Sequence, residues 1–154
     1  MLLILGDLSR ETSSVLVNPT DSRMSHSSMK AKATTEAAGG DVRAESVRER
    51  DRLFPGGKVP EGRSILTGSG KLIQNGVEFI VHVVSPTSKG PNGLRQIKSC
   101  MQEVFKVLDA KSLSSASIPF LGSGAWVVVK QSNANGCVCQ NHSKPCIALN
   151  PTLH

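Results

Sequence analysis

The 154-residue sequence has no tyrosine, one tryptophan and four phenylalanines, so its core has to come mainly from aliphatic side chains. It also lacks an apolar run of the ~18–20 residues that a membrane-spanning helix needs. The opening Met1-Leu2-Leu3-Ile4-Leu5 has no basic segment before it and meets Asp7 almost at once, so no signal peptide is expected. There is no dense basic block: lysines and arginines are spread from Arg10 to Lys144. Between Arg43 and Arg63 they alternate with Glu45, Glu49, Asp51 and Glu61 in the manner of a solvated helix face. Sequence-specific nucleic-acid recognition is therefore not expected. A disulfide framework is missing too, since Cys100 stands alone while Cys137, Cys139 and Cys146 crowd the end of the chain. That usage suits a reduced, intracellular setting. No internal repeat is present.

What is there fits one domain. Apolar residues make up 38% and charged residues 19%, enough for a core, and the net charge of +6 favours an anionic partner by sign alone. Residues 2–5 read as a short buried strand followed by a turn at Gly6-Asp7-Leu8-Ser9. Residues 15–17 read as a second strand, stopped by Asn18-Pro19-Thr20-Asp21 because Pro19 cannot donate to a ladder. A polar, Ala-rich stretch over 22–38 has weak helical periodicity and ends at Gly39-Gly40; a further helix over 42–53 has Asp41 as its N-cap. Residues 64–67 make a strand and 79–84 the strongest one, apolar on both faces as in a sheet covered by helices. Leu94, Ile97, Met101, Val104, Phe105 and Leu108 fall at helical spacing and mark an amphipathic helix over 94–110, followed by a strand over 116–121. Helices alternating with apolar strands predict an α/β sandwich with a largely parallel or mixed sheet. Ligands of such sheets sit beyond the strand carboxyl ends, and Asp7, Asn18, Ser85 and Gly122 all lie just past a predicted strand.

Two motifs carry chemistry. The strand ending in Ile118-Pro119-Phe120-Leu121 runs into Gly122-Ser123-Gly124. Two glycines let the backbone turn sharply against a ligand, successive N–H groups can form an anion nest, and the serine adds a hydroxyl, which together suit a phosphate. The same spacing also occurs in plain turns. Near the end of the chain, Cys137, Cys139, His142 and Cys146 place four zinc-type ligands within ten residues. Cys-x-Cys is tighter than the usual first pair, and free thiols in a polar tail are the simpler reading. His82, inside an apolar strand, reads as a packed core histidine. His26 near Asp21 reads as a chance loop neighbour.

The order of these segments resembles the macrodomain family. The residues that carry the resemblance are Gly6-Asp7-Leu8-Ser9, then Val17-Asn18-Pro19-Thr20-Asp21, then Ile80-Val81-His82-Val83-Val84-Ser85-Pro86, and finally Pro119-Phe120-Leu121-Gly122-Ser123-Gly124. The Asn-Pro-Thr variant, the Gly39-Gly40 pair and the His-x-x-Ser-Pro strand look closest to the macrodomain of the macro-histones. The resemblance implies a three-layer α/β/α fold with a mixed sheet, and ADP-ribose as ligand without a cofactor. Its partners would be ADP-ribosylated proteins and chromatin, in the nucleus or in nucleus and cytoplasm. It implies that Asp7 accepts from the adenine amino group. Gly122, Ser123 and Gly124 would cradle the diphosphate, Asn18 and Asp21 would lie toward the distal ribose, and Ser85 would border the pocket.

The sequence also departs from the family. Hydrolytic members carry a glycine run several residues after the Asn-x-x-Asn turn; counted without gaps, that run falls here on His26-Ser27-Ser28-Met29 and then Lys30-Ala31. Without bare backbone there, a binding module is expected over a hydrolase that removes ADP-ribose. After Ala125-Trp126-Val127-Val128-Val129-Lys130 the sequence becomes polar. The reading is a macrodomain over 1–130, incomplete at its C-terminal end, with a divergent Cys-containing tail over 131–154. A remnant that no longer binds is the third alternative.

Overall fold

The computed structural model describes residues 2–4, 8–87, 90–121 and 146–149. Among the described residues, six strands form one mixed sheet: β1 (Leu2–Ile4), β2 (Val15–Thr20), β3 (Ser64–Gly68), β4 (Phe79–Val84), β5 (Ala116–Pro119) and β6 (Cys146–Leu149). Their spatial order is β1-β6-β5-β2-β4-β3. β2 pairs in parallel with β4 on one side and β5 on the other, while β3, β6 and β1 are antiparallel to their neighbours. Three α-helices among the described residues cover it: α1 (Met29–Ala38), α2 (Gly40–Leu53) and α3 (Gly90–Lys111). Among the described residues, no helix is long and apolar enough to cross a membrane.

The alternation of side chains along the strands sorts the core into two layers. Val15, Val17, Val81 and Val83 point to the α3 side and pack with Cys100, Val104 and Leu108. Leu16 and Ile80 point the other way and pack with Ala38, Val42 and Leu72. Met24, Val59, Ile65 and Val84 form a smaller cluster on that same side. The result is the expected three-layer α/β/α sandwich with a mixed sheet.

β2 runs through Pro19 instead of stopping before it. The reason is directional. Val15 N–H donates to Ser115 O on the β5 side and Thr20 O accepts from Ser85 N–H on the β4 side, so Pro19, in step with Val15, faces β5. The β5 ladder has already ended at Leu16↔Ser117, and the missing Pro19 N–H breaks no bond. α1 starts only at Met29, with Ser28 as its N-cap, which leaves residues 21–28 as a loop. Gly39, at φ 94° and ψ 158°, sits where only glycine is at ease and separates α1 from α2. α2 begins at Gly40, one residue before the expected cap. α3 begins four residues earlier than the apolar stripe, with Pro91 in its first turn. A 3-10 turn over Gly70–Asn75 was not anticipated. It presses onto the α1–α2 junction at Gly70, where an added Cβ would lie 2.1 Å from Ala38 O. β6 falls within the segment read as a tail and sits between β1 and β5.

Candidate functional site

β2 leads into helices on one face of the sheet and its parallel neighbour β4 into α3 on the other. Their carboxyl ends therefore border a crevice, the usual ligand position in an α/β sheet. The two strands end level, with Thr20 opposite Val84, and β5 ends nearby at Pro119. The rim consists of the 21–28 loop, the segment from Ser85 to Thr87, and Phe120-Leu121.

The 21–28 loop is held from several directions. Met24 is fully buried in its apolar cluster and His26 is 3% exposed, whereas Asp21, Arg23 and Ser27 face outward. Both buried residues have left-handed backbones, φ 55° at Met24 and φ 53° at His26. Non-glycine residues in that region cost about 1–2 kcal/mol each, so their anchors must hold them there. Val59 N–H donates to Ser22 O over 2.8 Å, and Arg50 Nη1 donates to Arg23 O. The loop then feeds α1, whose first turn is capped by Ser28 Oγ accepting from Ala31 N–H.

Asp21 is the hub on the outer side. Its carboxylate accepts from Arg23 N–H at 2.8 Å, from Ser25 N–H at 3.4 Å and from the Ser25 hydroxyl. Partial burial pushes its pKa up, but the hydrogen bonds from Ser25 and Arg23 outweigh that and leave it below the ordinary value. Asp21 makes no hydrogen bond to His26.

Beneath the loop lies a buried polar relay. Asn18, His82 and Thr67 project from β2, β4 and β3 on the same side as Leu16 and Ile80, with Asn18 in register with His82. The Asn18 amide nitrogen lies 3.1 Å from His82 Nδ1 and 3.4 Å from His26 Nδ1. His82 Nε2 meets Thr67 Oγ at 2.9 Å, and His26 Nε2 meets Ser46 Oγ of α2 at 2.8 Å. The two rings meet edge to face, 4.9 Å between centroids. Hydrogen positions can be assigned from the ends inward. Each hydroxyl donates to a main-chain carbonyl, Thr67 to Gly68 O and Ser46 to Arg43 O. Each hydroxyl oxygen is thus left to accept an imidazole Nε2–H, and both bare Nδ1 atoms accept from the two protons of one amide. Every donor in the chain is used, and both histidines are neutral. Burial, reinforced by His26, pushes the His82 pKa down to about 3. Burial and then Arg43 lower that of His26, while Asp21 opposes them weakly. Three buried side-chain atoms remain unpartnered among the described residues: Asn18 Oδ1 and Thr20 Oγ1, both on β2, and Gln96 Oε1 of α3.

On the other rim, Ser85 is half-buried and its N–H donates to Thr20 O at 3.1 Å, continuing the ladder past β4. Glu61 fixes the neighbouring Thr87 by accepting from its N–H at 3.2 Å and from its hydroxyl, and it accepts from Gln96 as well. A shallow cleft of about 350 Å³ over Asn92, Arg95, Gln96 and Ser99 lies on the surface of α3 and includes none of the strand-end residues.

The structure therefore brings Asn18, Asp21 and Ser85 to one edge of the sheet, with Asn18 below and Asp21 and Ser85 at the rim. Asp7, Gly122, Ser123 and Gly124 lie outside the described residues, as do Cys137, Cys139 and His142; Cys146 lies in β6. Among the described residues, no group of three or more His, Cys, Asp or Glu is placed to hold a metal ion. Sequence reasoning did not pick out Ser46 or Thr67, and it left His26 as an accidental neighbour of Asp21. The available signal was the pair Asn18 and His82, polar residues at matching depth in two adjacent apolar strands.

The central parallel strands of this mixed α/β/α sandwich thus end level beneath a loop held by buried side chains and main-chain hydrogen bonds. The chain belongs to the Macro domain family, whose model matches residues 17–137. It is similar to the Oceanobacillus iheyensis macrodomain with ADP, at 26% identity and a TM-score of 0.71, covering 78% of this chain and 63% of that one. An uncharacterized protein of Sulfurisphaera tokodaii is 27% identical over 124 residues, 80% of this chain and 64% of the relative. The O-acetyl-ADP-ribose deacetylase 1 of Pantoea vagans is 27% identical over 153 residues, 98% of this chain and 85% of that protein. This chain thus spans a little under two thirds of the first two relatives.

Proposed function

We propose that this macrodomain binds ADP-ribose, free or attached to proteins, in the crevice beyond β2 and β4. The observation that carries the reading is the set of level strand ends under a loop held by Met24, His26, Arg50 and Val59. A fixed rim binds a nucleotide diphosphate at low ordering cost. The rim donors at the start of α1 and the net charge of +6 favour an anion. On the motif resemblance, Asp7 takes the adenine amino group and Gly122, Ser123 and Gly124 take the diphosphate. Asn18 and Asp21 shape the ribose end, and Ser85 borders the pocket. Titration calorimetry with ADP-ribose should give one site per chain, weakened about tenfold or more by Asp7→Ala, the loss of a charged hydrogen bond being worth about 1.5–3 kcal/mol. A folded chain that gives neither heat nor a thermal shift with ADP-ribose would overturn the reading.

A second reading, hydrolysis of ADP-ribosyl or O-acetyl-ADP-ribose bonds, draws on the name of the Pantoea vagans relative. Against it, both buried histidines have their nitrogens engaged and the Asp21 carboxylate is committed to the loop. Ser27 and Ser28 stand where the hydrolytic members carry glycine. Release of labelled ADP-ribose or acetate separates the two readings, and none is expected. A nuclear, chromatin-linked role rests on the macro-histone-like motifs alone, whereas the relatives described above are bacterial and archaeal. Imaging of the tagged chain in its own cells tests that setting.

A further inference from the structure

We propose that His26, Asn18 and His82 form a proton-sensitive latch on the 21–28 loop: neutral His26 holds the loop in its binding shape, and protonated His26 releases it. The inference rests on the ADP-ribose reading for its consequence, though not for its chemistry.

The geometry leaves the His26 ring no room for a second proton. Its Nδ1 faces the amide nitrogen of Asn18 at 3.4 Å, and that amide has no second choice, because its other proton serves His82 at 3.1 Å. A proton arriving on His26 Nδ1 would set two donors against each other in a space closed to water. Turning the Asn18 amide over would relieve His26 but would place Oδ1 against the lone pair of His82 Nδ1. His82 in turn cannot switch tautomer, since Thr67 spends its proton on Gly68 O. The relay thus ties the state of a loop residue to a central strand.

The charges around His26 point the same way. Arg43 of α2 opposes a second positive charge there, and Asp21 of the loop itself favours one but faces outward and is engaged with Ser25 and Arg23. From β4 comes neutral His82, from β2 the uncharged Asn18, and from α2 the Ser46 hydroxyl. Nothing buried beside His26 would neutralise it. Once its hydrogen bonds fail, the left-handed backbones at Met24 and His26 lose one of the anchors that hold them. The loop opens locally while the aliphatic core beneath it stays packed.

ADP-ribose affinity should be measured from about pH 7.5 to about pH 5, a range in which its diphosphate keeps its charge. A one-proton latch weakens binding by at most about tenfold per pH unit. The wild-type chain should lose affinity toward acid, with faster hydrogen exchange at the 21–28 amides. His26→Gln, which cannot take up the proton, should bind more weakly at neutral pH but with a flattened profile. Long-range nitrogen NMR of the two imidazoles should show both protonated on Nε2 at neutral pH. A flat wild-type profile with the fold intact, the same slope in His26→Gln, or a proton on either Nδ1 would overturn the latch. If ADP-ribose fails to bind at any pH, the functional reading falls, and the imidazole tautomers and loop exchange in the free chain still decide the latch.

Discussion

Asn18 shows how one side chain can set the state of its neighbours. It is fully buried, and its amide supplies both protons that the two histidines need. Asn18→Asp changes almost no volume, yet it replaces those protons with carboxylate oxygens facing two bare Nδ1 atoms. At neutral pH the relay then has acceptors opposed to acceptors, and an unsatisfied buried polar group costs about 1–3 kcal/mol. Chemical denaturation should show a loss of about that size or more. The loss should shrink toward pH 5, because imidazolium protons can then bind the carboxylate and the histidine pKa values rise. A deficit that grows on acidification would mean that the hydrogens are arranged differently.

The element that prepares the site is α1 with the loop before it. Ser28 has extended backbone, φ −68° and ψ 151°, and its hydroxyl accepts from Ala31 N–H at 3.3 Å. With few apolar contacts of its own beyond Ala31 and Ala38, α1 depends on that cap. Ser28→Ala should cost about 1 kcal/mol and Ser28→Asp much less, as read by thermal unfolding. The sequence showed this element poorly. The stretch over 22–38 has weak periodicity, so nothing in it says that its first seven residues remain loop before the helix begins. β4 was legible to the residue, because a continuous apolar run bounded by Ser85-Pro86 can end only there. β2 was cut short because a proline argues against a strand until the direction of its missing N–H is known, and that direction depends on where β5 ends. The inward turn of His26 was hidden for a similar reason. Its partners Ser46 and His82 come from α2 and β4, and only the folded register brings them within reach. The strand-end position of Asn18 and Ser85 followed from local pattern; the use to which Asn18 is put did not.

At the scale of the whole molecule, the relay makes folding itself sensitive to acid. An unfolded chain carries His82 near 6.5, whereas in the folded chain burial holds it at about 3. Between those values the unfolded state binds a proton that the folded state refuses, so stability rises with pH across the window. The contribution is intact above about pH 6.5 and is lost progressively as pH falls toward 3. Each pH unit inside the window is worth about 1.4 kcal/mol, which puts the loss on the order of 2 kcal/mol by pH 5. His26, also lowered by burial, acts in the same direction. Asp21 adds to it further down, because its depressed carboxyl stabilises the fold only while ionised. Urea unfolding at a series of pH values should therefore give a slope near one proton between about pH 6 and pH 4 from His82 alone, and more with His26. In His82→Gln the midpoint should start lower at neutral pH, since the amide fits the Asn18 and Thr67 partners less well. Its curve should nevertheless be flatter by about one proton. Parallel curves for the two chains would place the acid sensitivity elsewhere and would remove His82 as its source.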